Sequence, residues 1–145
     1  MKTKLAFWDT SAIVPLLLPQ PGFTARARRL VRRHSQGVVW WATHIEVVSA
    51  LARLRQSGDT DEAGYQHGLR AWATFRAQAR VIEPREKVLA IAAGLPEKYG
   101  LRALDALQLA AALGWCQERP RHRPFVCFDE KLAEAAEKAG FMVVN

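Results

Sequence analysis

Cysteine is scarce in this chain: two in 145 residues, Cys116 and Cys127. Both stand in apolar surroundings without Cys-x-x-Cys spacing or a histidine at metal-ligand distance, which excludes a disulfide scaffold, a zinc ribbon and a dithiol redox centre. They read as reduced core residues of a cytosolic protein. Long apolar runs are also missing. Ile13 to Leu18 contains a proline and falls far short of the ~20 residues of a membrane-spanning helix. Met1-Lys2-Thr3-Lys4 leads into a short apolar run, with neither the long apolar region nor the small-residue cleavage site of a secretory leader. A cytoplasmic protein without a membrane segment is the expectation. Glycine-rich phosphate loops, GxSxG elbows and HExxH helices are absent as well. The four histidines, His34, His44, His67 and His122, fall in unrelated contexts.

Acidic residues are outnumbered, 14 against 21 lysines and arginines, for a net charge of +7 and a pI near 10.0. Such a surface attracts polyanions, nucleic acid or an acidic protein partner alike. Arginines gather at 26, 28, 29, 32 and 33, at 53 and 55, and at 119, 121 and 123, which also suits solvated helix faces and a polar loop. Half of the residues are hydrophobic, so a packed core is expected, and the length suits one domain over residues 1–145.

Hydrophobic periodicity predicts strands at Lys4–Trp8, Val38–Trp41, Arg80–Glu83, Phe125–Phe128 and Phe141–Val144. Helices are predicted at Ala12–Leu18, Phe23–His34, Thr43–Arg55, Asp59 to about Ala79, Arg85–Lys98, Leu101–Gln117 and Asp129–Ala139. Gly94 and Pro96 weaken the fifth of these, whereas the alanine- and leucine-rich sixth reads as the most buried. Strands alternating with helices imply an α/β fold, a parallel sheet with helices on both faces.

Four acids sit where a strand or loop gives way to a helix: Asp9, Glu46, Asp105 and Asp129. In an open α/β sheet such points face the crevice at the carboxyl ends of the strands, where ligands bind. Carboxylates gathered there repel one another unless a cation neutralises them, and oxygen-only ligands favour Mg²⁺ or Mn²⁺. The chemistry that follows is phosphodiester hydrolysis. Each acid also has a structural explanation. Asp9 and Asp129 can be N-caps, Thr43-His44-Ile45-Glu46 spells a capping box, and Asp105 can favour a helix N-terminus. Two points favour the joint reading: the order of strands makes the one before Asp9 central, and Asp105 lies in the apolar stretch Leu101 to Leu113, where a lone carboxylate is costly.

Phe7-Trp8-Asp9-Thr10-Ser11-Ala12, Leu104-Asp105-Ala106-Leu107-Gln108-Leu109-Ala110 and Phe125-Val126-Cys127-Phe128-Asp129-Glu130-Lys131-Leu132 resemble the signature blocks of PIN domains, and of VapC-type ribonuclease toxins especially. Glu46 fits the remaining acidic position. The resemblance covers nearly the whole chain. It implies a PIN-like three-layer sandwich with a five-stranded parallel sheet, and a Mg²⁺ or Mn²⁺ site built by Asp9, Glu46, Asp105 and Asp129 as the catalytic residues. It also implies an endoribonuclease acting as the toxin of a toxin–antitoxin pair, whose partners are RNA, a small cognate antitoxin and a second copy of itself. Many relatives carry serine or threonine where this chain has Cys127, so a hydroxyl near the metal is missing; Thr10 and Ser11 could supply hydroxyls instead, or act as caps.

Two other readings stand beside this one. A PIN-like module that only binds RNA or protein should have shed acids that repel one another, and a phosphoacceptor domain should carry paired acids ahead of its acceptor. With no dedicated base beyond His44, which lies near Glu46 in sequence, metal-activated water is the expected nucleophile, leaving 5′-phosphate and 3′-hydroxyl ends.

Overall fold

The computed structural model describes residues 5–145. Its centre is a five-stranded sheet formed by β1 (Leu5–Trp8), β2 (Gln36–Trp40), β3 (Arg80–Ile82), β4 (Pro124–Val126) and β5 (Met142–Val144), all parallel, in the order β3-β2-β1-β4-β5. Lys4, counted in the first strand by periodicity, lies outside the described residues. The chain winds outward from β1 through β2 to β3, then returns to the other side of β1 for β4 and β5. The turning point therefore falls between β1 and β4, the place where open α/β sheets bind ligands.

Alternation along the strands builds two cores. Ala6, Trp8, Val39 and Val126 face α1 (Thr10–Leu17), α2 (Thr24–Arg33), α3 (Thr43–Gln56) and α4 (Glu62–Gln78). Phe7, Val38, Trp40 and Phe125 face α5 (Glu86–Tyr99), α6 (Ala103–Trp115) and α7 (Glu130–Ala139). The result is the three-layer sandwich. Phe7 and Phe125 stack at 5.2 Å between centroids, and full burial of each ring contributes about 1.5–3 kcal/mol.

Two boundaries of strands differ from the pattern reading, and one weakened helix forms as expected. β2 starts two residues earlier, because Gln36 and Gly37 pair with Leu5 and Ala6; Phe75 lies so near Gly37 that a Cβ there would stand 2.9 Å from its ring. β4 ends at Val126, since the amide of Phe128 turns away to donate to Ser11 Oγ at 2.9 Å. Helix α5 continues through Gly94 and Pro96: Val88, Ala92 and Leu95 form a buried stripe, and Gly114 lets α6 approach Val88 closely. Packing overrides the local helix penalty there. Helix α6, expected as the most buried, buries Ala106, Gln108, Leu109 to Ala112 and Trp115, but the shorter α1 is buried over a larger share of its length and has no exposed residue.

Candidate active site

Asp9 closes the central strand. Its amide donates to Val126 O at 3.0 Å, extending the β1–β4 ladder, and its side chain is buried. It caps α1 by accepting from Ser11 N at 3.1 Å and Ser11 Oγ at 2.6 Å, and Cys127 Sγ approaches at 3.7 Å. All three donors meet Oδ2, leaving Oδ1 without a donor among the described residues. The cap and the site are thus the same residue. Burial, with Asp105 and Asp129 nearby, pushes the Asp9 carboxyl upward despite the Ser11 bonds.

Glu46 lies in the first turn of α3, but the capping box read from the sequence does not form. The N-cap is Ala42, without a side-chain cap. Thr43 Oγ1 and Glu46 Oε2 both turn to Gln108 Nε2, at 2.9 and 2.8 Å, and Thr10 Oγ1 lies 3.3 Å from the same nitrogen. Glu46 is drawn from its own helix end toward the sheet because Gln108, fully buried on α6, needs acceptors for its amide hydrogens. Burial raises the Glu46 carboxyl to about 7, with Asp9 and Asp105 adding to the shift and the Gln108 bond opposing it.

Asp105 is half-buried in the first turn of α6, one helical turn before Gln108, with no hydrogen-bond partner among the described residues. Burial and the Asp129 charge raise its carboxyl, while Lys131 and Arg102 counteract. Asp129 caps α7, its Oδ1 accepting from Lys131 N at 2.9 Å and Leu132 N at 3.2 Å; Oδ2 is left over.

Asp9 therefore feels Asp105 and Asp129, Glu46 feels Asp9 and Asp105, and Asp105 feels Asp129. The four predicted acids share one electrostatic neighbourhood. Among the described residues, no three His, Cys, Asp or Glu side chains form a ready-made ligand group. A hard cation still suits this donor set: every acid keeps an oxygen without a protein donor, and Mg²⁺ commonly takes one or two carboxylates and retains waters for the rest.

Two clefts flank the acids and share Thr10, Ala50 and Arg53. One, about 300 Å³, is lined by Glu46, Ser49, Ile45 and Leu104; the other, about 700 Å³, by Ser11, Phe23, Phe128, Asp129 and Lys131. No histidine lines either. His44 accepts from Trp72 Nε1 at 2.8 Å through Nδ1, so its nearness to Glu46 in sequence is not nearness in function.

Sequence reasoning assigned no role to Gln108, although it lies three residues after Asp105 on the same helix face. A buried glutamine in an alanine- and leucine-rich helix was the signal. Thr10 and Ser11, expected as hydroxyl donors or caps, act in the hydrogen-bond layer behind the acids. Ser11 Oγ joins Asp9 to the Phe128 amide. Cys127 occupies the expected hydroxyl position and reaches Asp9 and the Asp129 carbonyl, 3.4 Å away. Both cysteines are free and buried.

The chain is 29% identical to Ribonuclease VapC47 of Mycobacterium tuberculosis, covering 97% of this chain and 96% of the relative. It is 31% identical to Ribonuclease VapC46 of the same species, covering 95% of each. Its fold is similar to that of a toxin–antitoxin complex chain from Klebsiella pneumoniae, with a TM-score of 0.67 at 17% identity over 97% of this chain and 96% of that one. A chain of VapBC2 from Rickettsia felis, solved bound to a DNA fragment from its promoter, also scores 0.67 at 11% identity, over 97% and 98%. The family model of the PIN domain matches residues 6–138, and with the acidic blocks meeting at the switch point of the sheet, the chain belongs to the PIN-domain family.

Proposed function

We propose that this protein is an endoribonuclease that hydrolyses RNA phosphodiester bonds with Mg²⁺ or Mn²⁺, and that it acts in the cytoplasm as a toxin restrained by a small antitoxin. The observation that carries this reading is the convergence of Asp9, Glu46 and Asp105, each with its carboxyl pushed upward, around the end of the central strand. Groups so arranged are costly for stability and mark functional sites. The ribonuclease names of the full-length relatives support the substrate class, and the toxin–antitoxin complexes among the fold neighbours support the partner.

Asp9, Glu46, Asp105 and Asp129 would hold the metal. Bound there, a divalent cation supplies a Lewis acid that lowers the pKa of water and offsets charge developing on phosphate. The chain's own part is orientation. Ser11 and Cys127 hold Asp9 Oδ2 and leave Oδ1 for the site, while Gln108 does the same for Glu46 by taking Oε2. With no imidazole lining the clefts to deprotonate a ribose 2′-hydroxyl, water is the nucleophile.

Incubating single-stranded RNA with the purified chain and Mg²⁺ or Mn²⁺ tests this reading. Cleavage lost in EDTA and in Asp105→Asn, with 5′-phosphate and 3′-hydroxyl ends, is the expected result. Ends carrying 2′,3′-cyclic phosphate, or undiminished cutting in EDTA, would overturn it. Purification from the native host should yield a small acidic partner complementary to the basic surface, and light scattering should show the chain paired with itself.

A further inference from the structure

We propose that the larger cleft beside the acids is a subsite for one unpaired nucleotide of the RNA, its base against the Phe23–Phe128 pair and its phosphate between Arg53 and Lys131. This inference rests on the ribonuclease reading and adds to it a built recognition element outside the four acids.

The cleft, about 700 Å³, is within the range of small-ligand sites. It opens directly on the acidic centre, since Thr10, Ser11 and Asp129 form part of its wall. Its apolar side is aromatic. Phe23, 41% exposed, and Phe128 lie 5.8 Å apart between centroids at 38°. The Arg26 guanidinium covers the pair, 4.7 Å from the Phe128 centroid and 5.7 Å from that of Phe23, yet Arg26 does not line the cleft, whereas both rings do. The pair is therefore backed by a cation on one side and open to the cleft on the other.

The platform is also anchored. Thr24 Oγ1 donates to Pro15 O and accepts from Gln20 N, both at 2.8 Å, fixing the turn that carries Phe23; the Phe128 amide is tied to Ser11 Oγ. Arg53, in the same wall, spends one N–H on Ser49 Oγ at 2.6 Å. Its other donors, and the Lys131 ammonium, have no hydrogen-bond partner among the described residues. Aromatic rings beside cations are the arrangement that holds single-stranded nucleic acid, because every base has a face to stack and every nucleotide a phosphate. A duplex keeps its bases stacked inside and cannot use the rings. Arg53 and Lys131 share the cleft wall with the Asp129 and Glu130 carboxylates, and where a phosphate can touch both cations they favour it over an apolar peptide as the occupant.

The test is fluorescence anisotropy with a labelled 12-nucleotide single-stranded RNA of mixed sequence, in EDTA so that nothing is cut. Phe23→Ala should weaken binding about ten-fold, the size of one lost base–aromatic stack, and Phe23→Trp should restore it. Arg53→Gln should weaken binding and lower the salt slope by about 0.7, one phosphate contact. The same strand annealed into a duplex should not respond to Phe23→Ala. Equal binding of the 12-mer by wild type and folded Phe23→Ala, or failure of Phe23→Trp to restore it, would overturn the proposal. So would a Phe23→Ala variant that keeps its RNA affinity but no longer retains a co-expressed protein partner, since the cleft would then be a protein dock. Cleavage of RNA by wild type with Mg²⁺, lost in Asp105→Asn, tests the nuclease reading independently of these results.

Discussion

Gln108 Nε2 stands 2.8 Å from Glu46 Oε2, joining the first turn of α3 to the middle of α6 across the buried side of the site. The bond replaces the capping box that Thr43 and Glu46 would otherwise form, and it leaves Glu46 Oε1 for the site. Groups that orient metal-ligating side chains typically matter 10- to 100-fold. Gln108→Leu should therefore lower RNA cleavage by about 10- to 100-fold and weaken Mn²⁺ binding, measured by calorimetry, while the circular dichroism spectrum stays unchanged.

Asp9→Asn and Asp105→Asn should each abolish detectable cleavage. Both remove a carboxylate from a group that burial and mutual repulsion hold protonated beyond its ordinary range. Without divalent metal at neutral pH, Asp105→Asn should melt at or above the wild-type temperature. A large fall would show that Asp105 is there for stability.

Glu46 predicts a pH dependence with a definite sign. Its carboxyl rises from 4.5 to about 7 on folding, so the folded chain binds this proton more tightly than the unfolded chain. That stabilisation is complete below about pH 4.5 and is lost as pH rises through 7. Asp9, also raised, acts in the same direction. The melting temperature without metal should fall between pH 5 and 8, and Glu46→Gln should flatten the fall. Partial exposure screens the effect, so the gain at pH 8 should be about 3 °C, corresponding to roughly 1 kcal/mol. Metal binding reverses the dependence, because the ligand must first lose its proton. Mn²⁺ uptake should release protons at pH 6.5 and far fewer at pH 9.

Cys127 contributes a donor and stays a thiol, since burial and the nearby Asp9 push its pKa well above the ordinary range. Cys127→Ser should keep near-wild-type cleavage, replacing a weak donor by a stronger one. Cys127→Ala deletes one of three donors on Asp9 Oδ2 and should weaken Mn²⁺ binding about five-fold, near the 1 kcal/mol of one hydrogen bond. Ser11→Ala should cost more, because it removes the 2.6 Å bond to Asp9 and leaves the Phe128 amide without its acceptor.

By itself the sequence determined the class of fold and singled out the four acids that the fold brings into one neighbourhood. Strand runs alternating with helical periodicity permit a parallel sheet and little else, and the Asp9, Asp105 and Asp129 blocks carry recognisable neighbours at their positions. Local patterns also offered Asp9 and Asp129 as caps, and both cap their helices, because a cap depends on amides two or three residues away; the helix expected from Asp59 starts at Glu62, capped by Asp61. What lay further along the chain was decided by tertiary structure. The Thr43–Glu46 capping box satisfied every local rule and lost to an amide 62 residues away, because a buried Gln108 without acceptors costs more than two helix-end amides that can find other partners. The end of β4 was set by Ser11, 117 residues from the amide it takes. The aromatic cleft joins Phe23, at the start of α2, to Phe128, in the connection after β4, and only folding brings them together, because contacts between distant connecting segments have no periodic trace in sequence.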